Sequence, residues 1–175
     1  MIYNCDDNIV TVGVGDLKIA DSPKTIKTSL GSCVGVVLYD NTKKTGGILH
    51  LMLPKCKNRN GRLSKYADTG IPLLIDLMVN KANANRRFLT AKIFGGAKMF
   101  SVNSDMFNIG KSNILETKII LEKMNIKIVA ERRCKWPPNL LRHNHRYRPE
   151  SYIWTAYTKI LDTDYRKVLL VKLTM

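Results

Sequence analysis

The stretch IKTSLGSCVGVVLYDNTKKTGGILHLMLP, Ile26–Pro54, carries one cysteine and one histidine, and its reading decides the fold. Cys33–Tyr39 and Gly47–Leu53 are apolar, β-branched runs of strand length, and DNTKKTG between them supplies turn residues, so the stretch reads as a β-hairpin. In an antiparallel pair, opposed residues share a constant index sum. A turn centred between Asn41 and Thr42 sets Cys33 directly opposite His50, with Cβ atoms roughly 5 Å apart on one face. A centre shifted by one residue makes them a diagonal pair, still on the same face. An even index sum separates them onto opposite faces, because side chains alternate along a strand.

A thiol beside an imidazole has a chemical use. The thiolate is the nucleophile, and the imidazole takes its proton. Gly31 and Ser32, just before Cys33, let the backbone turn tightly and present N–H groups that can hold an oxyanion. The set suits attack on an acyl carbon. The alternative is structural: a strand cysteine as a small core residue and a strand histidine as a packed one.

Outward from the hairpin, Val10, Val12 and Val14 alternate in IVTVGVGDLKIA as in a strand, and DSPK reads as a turn. The helical stripe Ile71, Leu74, Ile75, Leu77, Met78 predicts a helix over Thr69–Ala84, with Asp68 or Thr69 as N-cap and Pro72 in the first turn. FLTAKIFGG reads as a strand ending in Gly95-Gly96. A second helix is predicted over Lys111–Met124 on Ile114, Leu115, Lys118, Leu121 and Met124, followed by strands near Ile126–Ala130, Tyr152–Leu161 and Arg166–Leu173. Strands outnumber helices and several run as hairpins. The fold class is therefore α+β, layered mixed sheets flanked by two main helices.

The chain has 175 residues, 45% of them hydrophobic, enough for one domain over 1–175 with a substantial core. No apolar run is long enough to span a membrane, and the start lacks a secretory pattern, so the expectation is a cytoplasmic protein. The four cysteines, Cys5, Cys33, Cys56 and Cys134, are scattered, without zinc-site spacing. The formal charge of +15 favours acidic partners without choosing among them. His143 and His145 sit amid arginines, a poor setting for a cation even with Cys134 nearby, so no metal and no cofactor are expected.

Taken together, LGSCVGVVLYD, GGILHLMLP, KYAD, AKIFGGAKMF, NIGKSNI and IVAE, in that order, resemble the chemoreceptor glutamine deamidase family, CheD. The resemblance covers roughly Gly13 to Glu131, about two-thirds of the chain. The resemblance implies a cysteine hydrolase converting receptor glutamines to glutamates, a fold shared with bacterial toxin deamidases, and as partners the cytoplasmic helices of chemoreceptors and the phosphatase CheC. It assigns the nucleophile to Cys33 and the base to His50. The family's third member is a threonine upstream of the cysteine. Here Lys27 stands six places before Cys33 and Thr28 one place later, so Thr28 is the candidate, with Ser29 or Thr25 as substitutes.

Gly31 and Ser32 remain the oxyanion candidates. Gly95 and Gly96 are candidates for a loop beside the substrate, or for a tight strand exit. Asn108-Ile109-Gly110 reads as positioning the second helix. Arg132, Arg133, Lys135, Arg142, Arg146 and Arg148 form a basic, aromatic-flanked segment, atypical for the family over about 134–151. It suits an acidic receptor helix better than nucleic acid. The rival reading is a CheD-like scaffold that regulates CheC with little catalysis.

Overall fold

Before Val34 the chain crosses three times between two β-sheets, and those crossings set its architecture. The computed structural model describes residues 8–57, 61–97, 109–133, 153–154, 158–163 and 166–172. Strand β1 (Ile9–Thr11) lies in the first sheet, β2 (Leu17–Asp21) in the second, β3 (Thr25–Leu30) in the first and β4 (Val34–Asp40) in the second. Then β5 (Thr45–Leu51), α1 (Ala67–Asn80), β6 (Leu89–Gly95), α2 (Ile109–Lys123) and β7 (Lys127–Arg133) complete the second sheet and its helices. The chain returns to the first sheet as β8 (Ile153–Trp154), β9 (Thr158–Thr163) and β10 (Arg166–Lys172). The strand orders are β1-β3-β10-β9-β8 and β2-β5-β4-β6-β7. Both sheets are mixed, since β1 runs parallel to β3 and β6 parallel to β7.

The second sheet is covered on both sides. One face carries Val36, Leu38, Leu49, Leu51, Ala91 and Ile93 against Ile71, Leu74, Ile75 and Met78 of α1 and Ile114 and Leu121 of α2. The other carries Val37, Ile48 and Phe94 against Ile26, Leu30 and Val171 of the first sheet. Covered twice, β5 is buried along its whole length, which explains why it reads as a continuous apolar run rather than an alternating one. The architecture is α+β in layers, helices on sheet on sheet.

Several expectations need correction. The Val10–Val14 alternation is not one strand: β1 and β2 lie in different sheets, separated by a turn at Gly13–Asp16. Thr25–Leu30, to which the sequence pattern assigns no strand, is strand β3, with Ile26, Thr28 and Leu30 turned inward. The hairpin strands begin and end one or two residues away from expectation, and their turn centres between Thr42 and Lys43, with Gly35 rather than Cys33 opposite His50. Helix α1 starts at Ala67 without a side-chain cap. Its first N–H groups instead donate to Leu53 O (3.0 Å) and Pro54 O (3.3 Å), which moves the start upstream and leaves Pro72 beyond the first turn. Helix α2 buries Asn113, Ile114, Thr117, Ile120 and Leu121, while Leu115, assigned to its apolar stripe, is exposed. The strand expected over Tyr152–Leu161 is two strands, β8 and β9. The basic segment, Cys134–Ser151, lies outside the described residues, as do Cys5, His143, His145 and Asn108.

The β4–β5 turn is held by buried Asp40. Its carboxylate accepts from Thr42 N (2.8 Å), Thr42 Oγ1 (2.6 Å), Lys43 N (3.2 Å) and Asn85 N (2.6 Å). Burial alone would push this carboxyl up, but these donors outweigh it and hold the group below the usual carboxylate range. A depressed folded-state pKa contributes stability that is present above the unfolded value and lost as the pH falls through the folded one. Asp40→Asn should therefore cost about 2 kcal/mol in urea unfolding at neutral pH. The gap from wild type should shrink as the solution is acidified through the carboxylate range.

Candidate active site

Strand β3 presents every second side chain to the space between the sheets, and Thr28 is the polar one among them. Its hydroxyl donates to Val12 O at 2.9 Å. The same oxygen lies 2.8 Å from His50 Nδ1, across the intersheet space on β5. A hydroxyl has one proton, and here it is committed to Val12 O. Thr28 Oγ1 must then accept from Nδ1–H, which fixes the neutral tautomer with Nε2 bare. Among the described residues Nε2 has no hydrogen-bond partner. A buried ring nitrogen left unpaired at the far side of an oriented imidazole is a base waiting for a proton.

Cys33 lies on the same face. With Gly35 opposite His50, the index sum places Cys33 diagonally from it, one step beyond the last paired residue, Val34. The thiol is half-buried and packs against the intersheet cluster that includes Val37, Ile48 and Phe94. It belongs to the Gly31–Cys33 connection, which carries the chain from β3 to β4. Two carbonyls of that connection are pinned from behind: Gly31 O by Ala97 N (3.0 Å) and Cys33 O by Gly96 N (2.9 Å). The N–H groups of Ser32 and Cys33 have no backbone carbonyl partner among the described residues. They are the available donors beside the sulfur.

Gly95 and Gly96 make that support possible. Both have positive φ, 99° and 64°. A Cβ on Gly95 would lie 2.3 Å from Cys33 O, an overlap with backbone that no rotamer relieves. A Cβ on Gly96 would lie 2.4 Å from Ile114 Cδ1, and one on Gly110 would lie 2.7 Å from Gly96 O. Each of the three admits only glycine, so the first turn of α2 sits backbone to backbone on the loop behind Cys33. The candidates for the third residue differ in placement. Lys27, Ser29 and Thr25 alternate onto the other face of β3, and only Thr28 meets the imidazole.

Burial sets the protonation states. It lowers the His50 pKa to about 4, so the ring is neutral at physiological pH. It raises the Cys33 thiol, an effect only partly countered by the residue's own N–H. Both shifts oppose a resting thiolate–imidazolium pair. They favour a thiol beside a neutral imidazole in the free site.

Residues without a chemical signature complete the site and were missed from sequence. Val12 contributes a carbonyl oxygen. Gly15 and Asp16 hold the backbone of His50, through Gly15 N to His50 O (2.8 Å) and His50 N to Asp16 O (2.9 Å). Asn113, buried on α2, donates Nδ2 to Met52 O (2.9 Å), two residues beyond His50. Asn113 stood within the NIGKSNI motif and was not singled out.

A family model described as CheD, chemotactic sensory transduction, matches residues 52–135, which begin just beyond His50. Among curated proteins, the chain is 45% identical over 124 residues to a probable chemoreceptor glutamine deamidase CheD of Methanococcus maripaludis, covering 70% of this chain and 80% of that protein. It is 50% identical over 127 residues to the corresponding Desulforamulus reducens protein (70% and 76%). To the chemoreceptor glutamine deamidase CheD of Bacillus subtilis it is 43% identical over 129 residues (70% and 77%). Among solved structures, a hypothetical protein YfiH from Bacillus licheniformis shares the fold, with a TM-score of 0.52 at 13% identity over 96% of this chain and 71% of that one. With curated relatives this similar over most of their length, the chain belongs to the CheD family.

Proposed function

We propose that this protein is a glutamine deamidase of chemoreceptors, working as a cysteine hydrolase with Cys33 as nucleophile, His50 as base and Thr28 as the residue that orients His50. The observation that carries the reading is the chain Val12 O···Thr28 Oγ1···His50 Nδ1, which leaves Nε2 bare on the face that also holds Cys33. The names of the curated relatives supply the substrate class, a chemoreceptor glutamine.

The reaction follows from the protonation states. As Cys33 Sγ attacks the side-chain carboxamide carbon, Nε2 takes the thiol proton. The negative charge passes to the carbonyl oxygen, where the Ser32 and Cys33 N–H groups hold it. The imidazolium then gives its proton to the departing nitrogen, ammonia leaves, and a thioester remains. Nε2 deprotonates a water, which attacks the thioester. The sulfur is expelled, takes the proton back from the ring, and the product is a glutamate. Among the described residues no carboxylate faces the ring as in a Ser-His-Asp triad; a hydroxyl backed by a carbonyl orients it. Gly31, Gly95 and Gly96 enter as the backbone support of the sulfur. A glutamyl methyl ester can follow the same path with methanol leaving.

We infer further, from the resemblance alone, a CheC-type phosphatase as partner and the cytoplasm as the place of work. Among the described residues, no helix is long and apolar enough to cross a membrane.

The direct test is mass spectrometry of a receptor cytoplasmic fragment incubated with the protein. Wild type should convert selected glutamines to glutamates and Cys33→Ala should convert none; conversion that survives in Cys33→Ala rejects the mechanism. Thr28→Val should lower kcat by about 10- to 100-fold, with partial recovery in Thr28→Ser. Lys27→Thr should change nothing, because that position faces away from the ring. The pH dependence provides a separate check. Since the rate requires neutral His50, kcat/KM should hold its plateau through the ordinary imidazole range and fall only toward about pH 4. An acidic limb at the ordinary histidine value would place His50 in water in the free enzyme.

A further inference from the structure

The segment Val12–Asp16 is a short crossing between the sheets, yet it touches both members of the Thr28–His50 pair. At its start, Val12 N donates to Lys27 O (2.8 Å) and Val12 O accepts the Thr28 hydroxyl. At its end, Gly15 and Asp16 both face His50: Gly15 N donates to His50 O and Asp16 O accepts from His50 N. Two residues opposite one is a β-bulge, and glycine in the left-handed region at its first position is the form that follows a tight turn. Gly15 has φ 68°, and Asp16 N donates to Gly13 O at 3.2 Å, which makes Gly13–Asp16 a type II turn with glycine at the position that needs positive φ. The Gly15 peptide is fixed on its other side too, since buried Ser64 donates its hydroxyl to Gly15 O at 2.6 Å.

We propose that this turn and bulge are a positioning device for the base, with Gly15 as its key residue and Ser64 as its anchor. The device sets where the His50 backbone lies relative to the Val12 carbonyl, and so whether Nδ1–H reaches Thr28 Oγ1 while that hydroxyl still reaches Val12 O. The Val12–Asp16 crossing is short, so the two contacts cannot shift independently. A bulge one residue out of place would move the ring away from the hydroxyl, freeing the imidazole to adopt the other tautomer. Bulges are over-represented beside active sites, where the local bend and twist re-aim a side chain. The inference about His50 geometry stands on the hydrogen bonds; its consequence for turnover rests on the function proposed above.

The test compares Gly15→Val with Gly15→Asn, and Ser64→Ala with wild type. A β-branched residue strongly resists positive φ, whereas asparagine accepts it. Nitrogen-15 NMR of histidine-labelled protein should show, in wild type, a protonated, exchange-protected Nδ1 and an unprotonated Nε2 for His50. Gly15→Val should lose that signature and lower kcat by about 10- to 100-fold with little change in KM. Gly15→Asn, whose Cβ needs only the flexible Lys65 side chain to move (2.8 Å to its Cγ), should recover most of both, and Ser64→Ala should fall between wild type and Gly15→Val. If Gly15→Val does not fold, the graded loss in Ser64→Ala decides the matter. A folded Gly15→Val, or a folded Ser64→Ala, that keeps the wild-type His50 spectrum overturns the proposal. An altered spectrum with unchanged turnover leaves the positioning role standing and rejects His50 as the base.

Discussion

A single hydroxyl between two sheets is the constraint around which the rest of this molecule is arranged. Thr28 stands on one sheet and His50 on the other, and the carbonyl that takes the Thr28 proton belongs to the segment joining them. Burying a threonine and a histidine together costs free energy unless each polar atom is paired. Here the pairing is complete except for one nitrogen. The intersheet space must therefore be narrow enough for a hydrogen bond at this end and filled by Ile26, Leu30, Val37, Ile48 and Phe94 elsewhere. Packing fixes the sheet separation, and the separation fixes the tautomer.

Two of the three early crossings explain why so few residues suffice. They meet at one end of the sheets: Val12–Asp16 holds Thr28 and His50, and Gly31–Cys33 brings the sulfur to the edge of β4, while the crossing at Ser22–Lys24 lies at the other end, beside Lys44. Helix α2 then supports the sulfur from behind through three glycines that leave room for nothing larger. The reactive groups come from the first third of the chain, while the segment matched by the family model builds the surrounding helices and the far strands. Chemistry and enclosure are contributed by different parts of one sequence.

How much of this could be read in advance differs from residue to residue. The alternation of strands made Cys33 and His50 legible as a same-face pair, and the apolar stripe of α1 was plain. The hairpin centre was off by one residue, because DNTKKTG offers several equivalent turns and Asp40 chooses among them only through bonds to Thr42, Lys43 and Asn85. Val10–Val14 misled for a physical reason: glycines alternating with valines imitate a strand even when Gly15 has turned the backbone out of it. Strand β3 was missed because its inward residues include a threonine, which dilutes the apolar pattern at the very position that matters. Asn113 and Thr117 likewise hid the inner face of α2 behind Leu115. The Val12 carbonyl and the bulge at Gly15 were beyond reach, since a backbone atom carries no residue signature.

The burial of Cys33 has one more consequence. Oxidants and alkylating reagents attack thiolates, and a sulfur kept protonated by its surroundings offers them little. In the proposed mechanism the nucleophile ionises only when a carboxamide is already in place, which keeps it quiet toward peroxide and small electrophiles. On that mechanism a covalent inhibitor would have to look like the substrate before it could react.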